Sequence, residues 1–440
     1  MMNRTILRLA IPNILSNLSV PLLGIVDTAL MGRMETESYL GAIALGSIIF
    51  NFIYWGFGFL RMGTTGMTAQ AYGSEEQLEA ATILGRGLWV AGVAGVVILF
   101  TQVGIEVLGF QLMQGKEAIK DLGRSYFYIR IWAAPATLAG FVLTGWFLGM
   151  QNARIPMIMT VLLNLFNIIF NMVFVYGLGM KSDGVALGTV IAQYLGLAIG
   201  LFFLKKHFPD SLKLLDRKKI LNLAEMKRFF TVNADIFIRT VCLIFVFAFF
   251  TSQSSGQSET VLAANQILLQ YFFVTGFAVD GFAFAAESLV GRFIGAKDKK
   301  DLREVLRLLF IWGCGIGLIF SLFYWMFGSS LLSVFTDLEQ VQEAARPYLW
   351  WIVILPFFGA IAFMWDGVYI GATATRPMRN TMLVATLGIF LPAFYLAFPV
   401  WGNHGLWLAM ILFIMGRGLF LTFTAPRHIL GKNTDIKAPL

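Results

Sequence analysis

Two sets of long apolar segments, related by a nearly constant offset along the sequence, restrict this chain more than any single motif does. Gly73 corresponds to Gly295, Tyr126 to Tyr348, Gly149 to Gly371 and Arg154 to Arg376. Longer strings agree as well. Pro135 to Pro156 reads P-x13-G-x4-R-x-P, and Pro356 to Pro377 reads P-x14-G-x4-R-P. Leu40-Gly-Ala lines up with Leu262-Ala-Ala, and Gly184-Val-Ala-Leu with Gly405-Leu-Trp-Leu after a one-residue slip. Paired membrane halves of this kind are how many secondary transporters place a substrate site between two lobes.

Apolar stretches of 18 or more residues recur along both sets, and each is long enough to cross about 30 Å of hydrocarbon as a helix. The spans are expected near 10–32, 40–72, 82–112, 122–149, 155–177, 184–205, 224–251, 260–288, 303–328, 342–371, 378–400 and 404–425. The chain is 58% hydrophobic and 13% charged, whereas soluble domains carry nearer a quarter charged residues. The runs are too continuous for the alternation of a membrane β-barrel. The expected fold is therefore an all-α integral membrane protein with twelve transmembrane helices. Six spans per half is an even number, so the two repeats run parallel about an axis along the membrane normal. The expected domains are an N-terminal lobe, 1–205, a basic cytoplasmic linker, 206–222, and a C-terminal lobe, 223–440.

A net charge of +8 invites a nucleic-acid partner, but its placement argues against one. With both termini inside, most Lys and Arg fall in cytoplasmic segments, as the positive-inside rule requires. Basic stretches at 205–228 and 292–307 then meet anionic lipid headgroups. The two cysteines, Cys242 and Cys314, lie inside spans, which excludes a disulfide framework. Arg4 and Arg8 precede a first span that is expected to stay in the membrane rather than be cleaved.

Enzymatic signatures are missing. There is no G-x-x-x-x-G-K-[ST] loop for ATP. His207, His404 and His428 sit in loops without an H-E-x-x-H, so neither a metal site nor a cofactor is expected. Gly313-Cys-Gly-Ile-Gly317 lies within an apolar helix, where small residues serve close helix packing. The pairs Gly145/Gly149, Gly184/Gly188, Gly196/Gly200 and Gly367/Gly371 read the same way.

Ionisable groups inside the membrane are costly and mark function or a structural network. Asp27 stands well inside the first span, where desolvation disfavours its charged form, so it is suited to take up and release a proton. The alternative is a structural acid hydrogen-bonded across helices. Pro12 and Pro21 bracket this helix, and Pro21 removes a backbone bond mid-span, so protonation of Asp27 can couple to bending there. In the fifth span Asn164, Asn167 and Asn171 share one face. They serve either as carboxylate partners or as glue between helices. Asp235 and Arg239 stand one turn apart and are expected to pair. Asp280 and Glu287 share a helix face, and Asp366 follows Trp365. Arg61, Arg130 and Arg417 are candidates to neutralise these acids. The second half holds either a structural charge network or a transport pathway. Across the chain, 42 Phe and 19 Met supply adaptable surface for bulky amphipathic or cationic compounds.

These residues resemble the multidrug and toxic compound extrusion (MATE) transporters, in their DinF-like branch. The markers are Val26-Asp-Thr-Ala-Leu-Met-Gly-Arg33, Gly145-Trp-Phe-Leu-Gly-Met-Gln-Asn-Ala-Arg154, Asp235-Ile-Phe-Ile-Arg239, Asp280-Gly-Phe-Ala, and Asp366-Gly-Val-Tyr-Ile-Gly-Ala-Thr through Arg379-Asn380. The resemblance implies two six-helix lobes around a central cleft, rocking between inward- and outward-facing states. It also implies export of organic compounds in exchange for protons or sodium ions. It makes Asp27 the cation site of the first lobe, Pro12 the helix-bending proline and Asn167 the matched asparagine. Where many relatives carry Asp-Pro this chain has Asn171-Met172, and near Val241 it lacks the glutamate of the sodium-linked branch. Hard cations favour several charged oxygens, so a proton is the expected coupling ion. The expected protein is a monomer in a bacterial inner membrane. A flippase for lipid-linked sugars or other amphipathic lipids is the alternative; it would need a cationic groove, for which Arg61, Arg130 and Arg239 are available.

Overall fold

A computed structural model describes residues 1–31, 37–113 and 116–431, with side chains for all of these except 20–31 and 37. Among the described residues there is no strand. In hydrocarbon every backbone N–H and C=O must pair within the segment, which leaves the helix as the only open-chain solution. Among the described residues the helix α1 Met2–Met31 is followed by eleven helices long and apolar enough to cross a membrane: α2 Ser38–Gly73, α3 Gln77–Phe100, α4 Glu117–Gly149, α5 Arg154–Gly177, α6 Ser182–His207, α7 Leu223–Ser255, α8 Glu259–Gly295, α9 Lys299–Phe335, α10 Glu339–Gly371, α11 Thr375–Trp401 and α12 Asn403–His428. They form the two six-helix repeats that the sequence offset predicts.

Several spans are longer than their hydrophobic stretches. Hydropathy places α9 at 303–328, yet it runs from Lys299 to Phe335, because helical hydrogen bonds continue past the hydrocarbon boundary wherever the ends are capped. Asp298 does this for α9, its carboxylate accepting from the Lys300 and Asp301 N–H groups at 3.0 Å. Ser258 caps α8 and Asn152 caps α5 in the same manner.

The repeat is visible in the packing. A Cβ placed on Gly145 of α4 would strike the Arg61 carbonyl of α2, and one on Gly367 of α10 would strike the Ala283 carbonyl of α8. One turn on, a Cβ at Gly149 would lie 2.9 Å from the Thr65 oxygen, and one at Gly371 would lie 2.5 Å from the Glu287 oxygen. All four pairs obey the offset that carries Gly73 onto Gly295. Left-handed backbone also recurs in register, at Glu75 and Lys297 and at Gln151 and Thr373, in the turns that follow matched glycines. At the pairs Gly145/Gly149 and Gly367/Gly371 the small residues bring backbones together, as their spacing predicts, whereas Gly196, Gly200 and Gly313 make room for side chains of neighbouring helices.

Contacts divide the chain into two compact units, Leu15–Phe230 and Met1–Ile14 with Thr231–Leu440. Both α1 and α7 begin in one unit and continue in the other. The core of the second unit gathers Phe250, Leu268, Phe272, Phe390 and Trp407. Within it Asn265 and Asn403 exchange hydrogen bonds at 2.8 and 2.9 Å, and the Trp407 indole donates to Asn265 at 2.9 Å. The thiols of Cys242 and Cys314 are free.

Residues 206–222 pack within the first unit. Gly85 of α3 leaves room for Ile220, whose Cδ1 would lie 2.5 Å from a Cβ there. The neighbouring Arg86 is buried. It donates to the Lys219 carbonyl at 3.2 Å and pairs with Glu79 at 3.1 Å and Glu225 at 3.7 Å. Removing these bonds in Arg86→Gln should loosen the exposed stretch Arg217–Lys219 and speed its tryptic cleavage about tenfold, the equivalent of one charge-assisted bond. An unchanged cleavage rate would show that the arginine does not hold this segment.

Candidate functional site

The first unit carries a chain of amides and hydroxyls. The stripe on α5 is buried, so each carboxamide needs a partner. Asn171 donates to the Asn167 oxygen at 2.9 Å, Asn167 donates to the Thr189 hydroxyl of α6 at 3.0 Å, and Thr189 donates to the Val185 carbonyl. Gly188 permits this route, since a Cβ there would fall on the Asn171 side chain. Asn164 reaches α1, donating to the Ser19 hydroxyl at 3.0 Å. Helix α1 is continuous through both Pro12, which is buried, and Pro21. The side chains of Asp27 and Pro21 lie outside the described residues.

The second unit carries ions. The Asp366 carboxylate of α10 accepts from Arg239 of α7 and, at 2.5 Å, from Arg417 of α12, both guanidinium groups meeting the same oxygen. All three residues are buried. The Nε atoms of both arginines and the second Asp366 oxygen have no hydrogen-bond partner among the described residues. Asp280 of α8 adds a second negative charge within electrostatic range of Arg417. Glu287, also on α8, is buried and contributes its carbonyl to the Gly371 contact.

The expected pair of Asp235 with Arg239 does not form. Asp235 accepts from Arg379 at 2.6 Å and from Thr375 at 3.0 Å, both on α11. A pair one turn apart on a single helix contributes only a few tenths of a kcal/mol. Buried charges gain more by satisfying groups on other helices. Sequence spacing gives no sign of Arg379 and Thr375 as partners, although Arg379 stands in one of the marker strings. Of the arginines expected to neutralise acids, Arg417 does so. Arg130 does not, and meets no carboxylate within salt-bridge distance among the described residues.

The two units differ chemically at matched positions. Under the repeat offset, Arg239 and Asp366 correspond to Asn17 and Thr144, while in the slipped register that carries Pro156 onto Pro377 and Gly184 onto Gly405 the three asparagines of α5 correspond to Ala385, Gly388 and Pro392. The first unit thus offers neutral groups able to donate and accept, and the second a fixed cluster of opposite charges.

A family model described as MatE matches residues 12–173 and again 236–396, once in each repeat. The chain belongs to the MATE transporter family. It is 38% identical over 426 residues to DNA damage-inducible protein F of Escherichia coli strain K12, covering 97% of this chain and 92% of that one. It is 23% identical to the multidrug resistance protein MdtK of Yersinia enterocolitica, with 93% and 92% covered. Its fold matches the Vibrio cholerae MATE transporter VcmN with a TM-score of 0.87 at 16% identity, over 98% of both chains. A MATE-family transporter described as outward-facing matches with a TM-score of 0.86 at 19% identity, over 98% of this chain and 96% of that one. As a MATE protein with eleven helices long and apolar enough to cross a membrane among the described residues, this is a multi-pass membrane protein.

Proposed function

We propose that this chain is a proton-coupled antiporter that exports amphipathic or cationic organic compounds across a bacterial inner membrane by rocker-switch alternating access. Asp27 is the protonation site in this reading. The observation that carries it is the amide chain of the first unit. On the same face of α5, Asn164 reaches α1 at Ser19, two turns before Asp27 in a continuous helix. Carboxamides accept from a protonated acid and donate to an ionised one, so the same groups serve both states. Sodium would favour more charged oxygens than this stripe of neutral amides supplies. Two compact units meet the need of rigid-body alternation, with 1–205 and 223–440 as the moving lobes, both termini inside and a monomer as the working form. Multidrug resistance proteins among the relatives support the substrate class. A flippase for lipid-linked sugars loses one candidate for its cationic groove, because Arg239 is committed to Asp366.

The test is efflux of a fluorescent cationic dye from proteoliposomes under an imposed pH gradient. Asp27→Asn should reduce gradient-driven efflux by at least about tenfold, as expected when a general proton carrier is removed. Undiminished transport in the variant would remove Asp27 from the mechanism. No dye movement by folded wild-type protein would favour the lipid reading.

A further inference from the structure

Arg130 lies well inside α4, about 20 Å of helix rise from its start, at a depth where an ionisable side chain calls for a partner. Among the described residues its positive charge is met by rings rather than by an acid. The guanidinium carbon sits 4.7 Å from the centroid of Phe50 and 5.5 Å from that of Tyr126. One terminal nitrogen donates to the Ser47 hydroxyl at 2.9 Å and to the Tyr126 hydroxyl at 2.6 Å. The Nε–H is buried without a partner among the described residues. On the same Phe50 ring stacks Tyr54, at 5.8 Å between centroids. The Tyr54 hydroxyl is buried near Thr137 and meets no hydrogen-bond partner of normal geometry among the described residues; Thr137 donates its own proton to the Ala133 carbonyl at 3.0 Å. Two donors without a partner among the described residues, one of them cationic, therefore lie around the Phe50 ring, against which Phe127 also stacks at 5.3 Å.

The fold does not require this chemistry. In the second repeat Phe50 is matched by Phe272 and Tyr126 by Tyr348, but Ser47 is matched by Leu269 and Arg130 by Ile352. Those two aliphatic residues are fully or nearly buried in the core of the second unit. The same pair of helices thus closes with apolar side chains in one repeat and with an arginine and a serine in the other.

We propose that Arg130, with the Tyr54 and Ser47 hydroxyls, receives the anionic head of an amphipathic molecule: a carboxylate, sulfonate or phosphate. An oxyanion there would take the orphan N–H and O–H as charge-assisted bonds, and the rings would cover the carbon next to it. This rests on the export reading and extends its substrate class from cations to amphipathic anions. A phospholipid headgroup offers the same chemistry.

The experiment uses the full chain in nanodiscs and two dansyl-labelled alkyl probes that differ only in the head, sulfonate or trimethylammonium, read by fluorescence anisotropy. Arg130→Gln should weaken the sulfonate probe about tenfold or more, as loss of a charged hydrogen bond does, and leave the ammonium probe unchanged or tighter. Arg130→Lys should retain part of the sulfonate affinity, and Tyr54→Phe should lose several-fold. Competition by phosphatidylglycerol in wild type but not in Arg130→Gln would name a lipid head as occupant; no competition would name a free amphipath. Equal sulfonate affinity in wild type and Arg130→Gln, or equal losses for both probes, overturns the site. Binding needs no gradient. Arg130-dependent binding without proton-driven efflux of either probe would therefore sink the antiport reading alone.

Discussion

Replacing Asp366 by asparagine is expected to cost about 3–5 kcal/mol of stability, the usual penalty for removing one member of a buried ion cluster. The side chains of Arg239 and Arg417 are 8% and 2% exposed, so neither can turn to water when its carboxylate is gone. The loss should appear as a sharply lowered unfolding temperature of the detergent-solubilised protein, followed by size-exclusion fluorescence. Adding Arg417→Met to the variant should recover part of that loss by removing one stranded charge. Asp235→Asn should do less harm. Its partner Arg379 has a side chain 28% exposed and can rehydrate. If the Asp366 and Asp235 variants unfold alike, burial does not govern this ranking.

The second large effect belongs to the glycines. Gly145→Leu and Gly367→Leu should each prevent folded protein from accumulating, because the obstructing atoms are the backbone carbonyls of Arg61 and Ala283, which have no rotamer by which to withdraw. Even alanine at either place should cost about 1–3 kcal/mol as an overpacked contact. Gly315, also within a span, would present a methyl group to open space, with no atom within 4 Å of it. Gly315→Ala should be neutral or gain up to about 1 kcal/mol from helix propensity. Thermal melts of the three alanine variants measure the contrast, and equal effects at Gly145, Gly367 and Gly315 would refute it.

Much of this architecture is legible in the residues. The repeat offset pairs the glycines that meet equivalent backbone, while the left-handed turns that follow them come from the structure alone. The extent of α9 is not legible, since hydropathy reports the hydrocarbon zone while capping by Asp298 sets where the helix begins. Nor is the pairing of the acids. Asp366 finds Arg239 and Arg417 at separations of 127 and 51 residues, and spacing along a chain carries information only about neighbours on one helix. For Asp235 that local signal points to the wrong arginine. The amide stripe on α5 is readable from its period, but its route through Thr189 depends on a gap at Gly188 that only packing reveals.

The matched contacts at Gly145 and Gly367 are made to carbonyl oxygens, which every residue possesses. Arg61 and Ala283 can therefore occupy equivalent places without disturbing them. The two halves therefore share a scaffold set by main-chain contacts, while the side chains at matched positions differ. A tandem built from two first halves should keep these glycine approaches and possess neither Asp366 nor the arginines that surround it. The frame is common to both halves, and the chemistry hung on it belongs to each half alone.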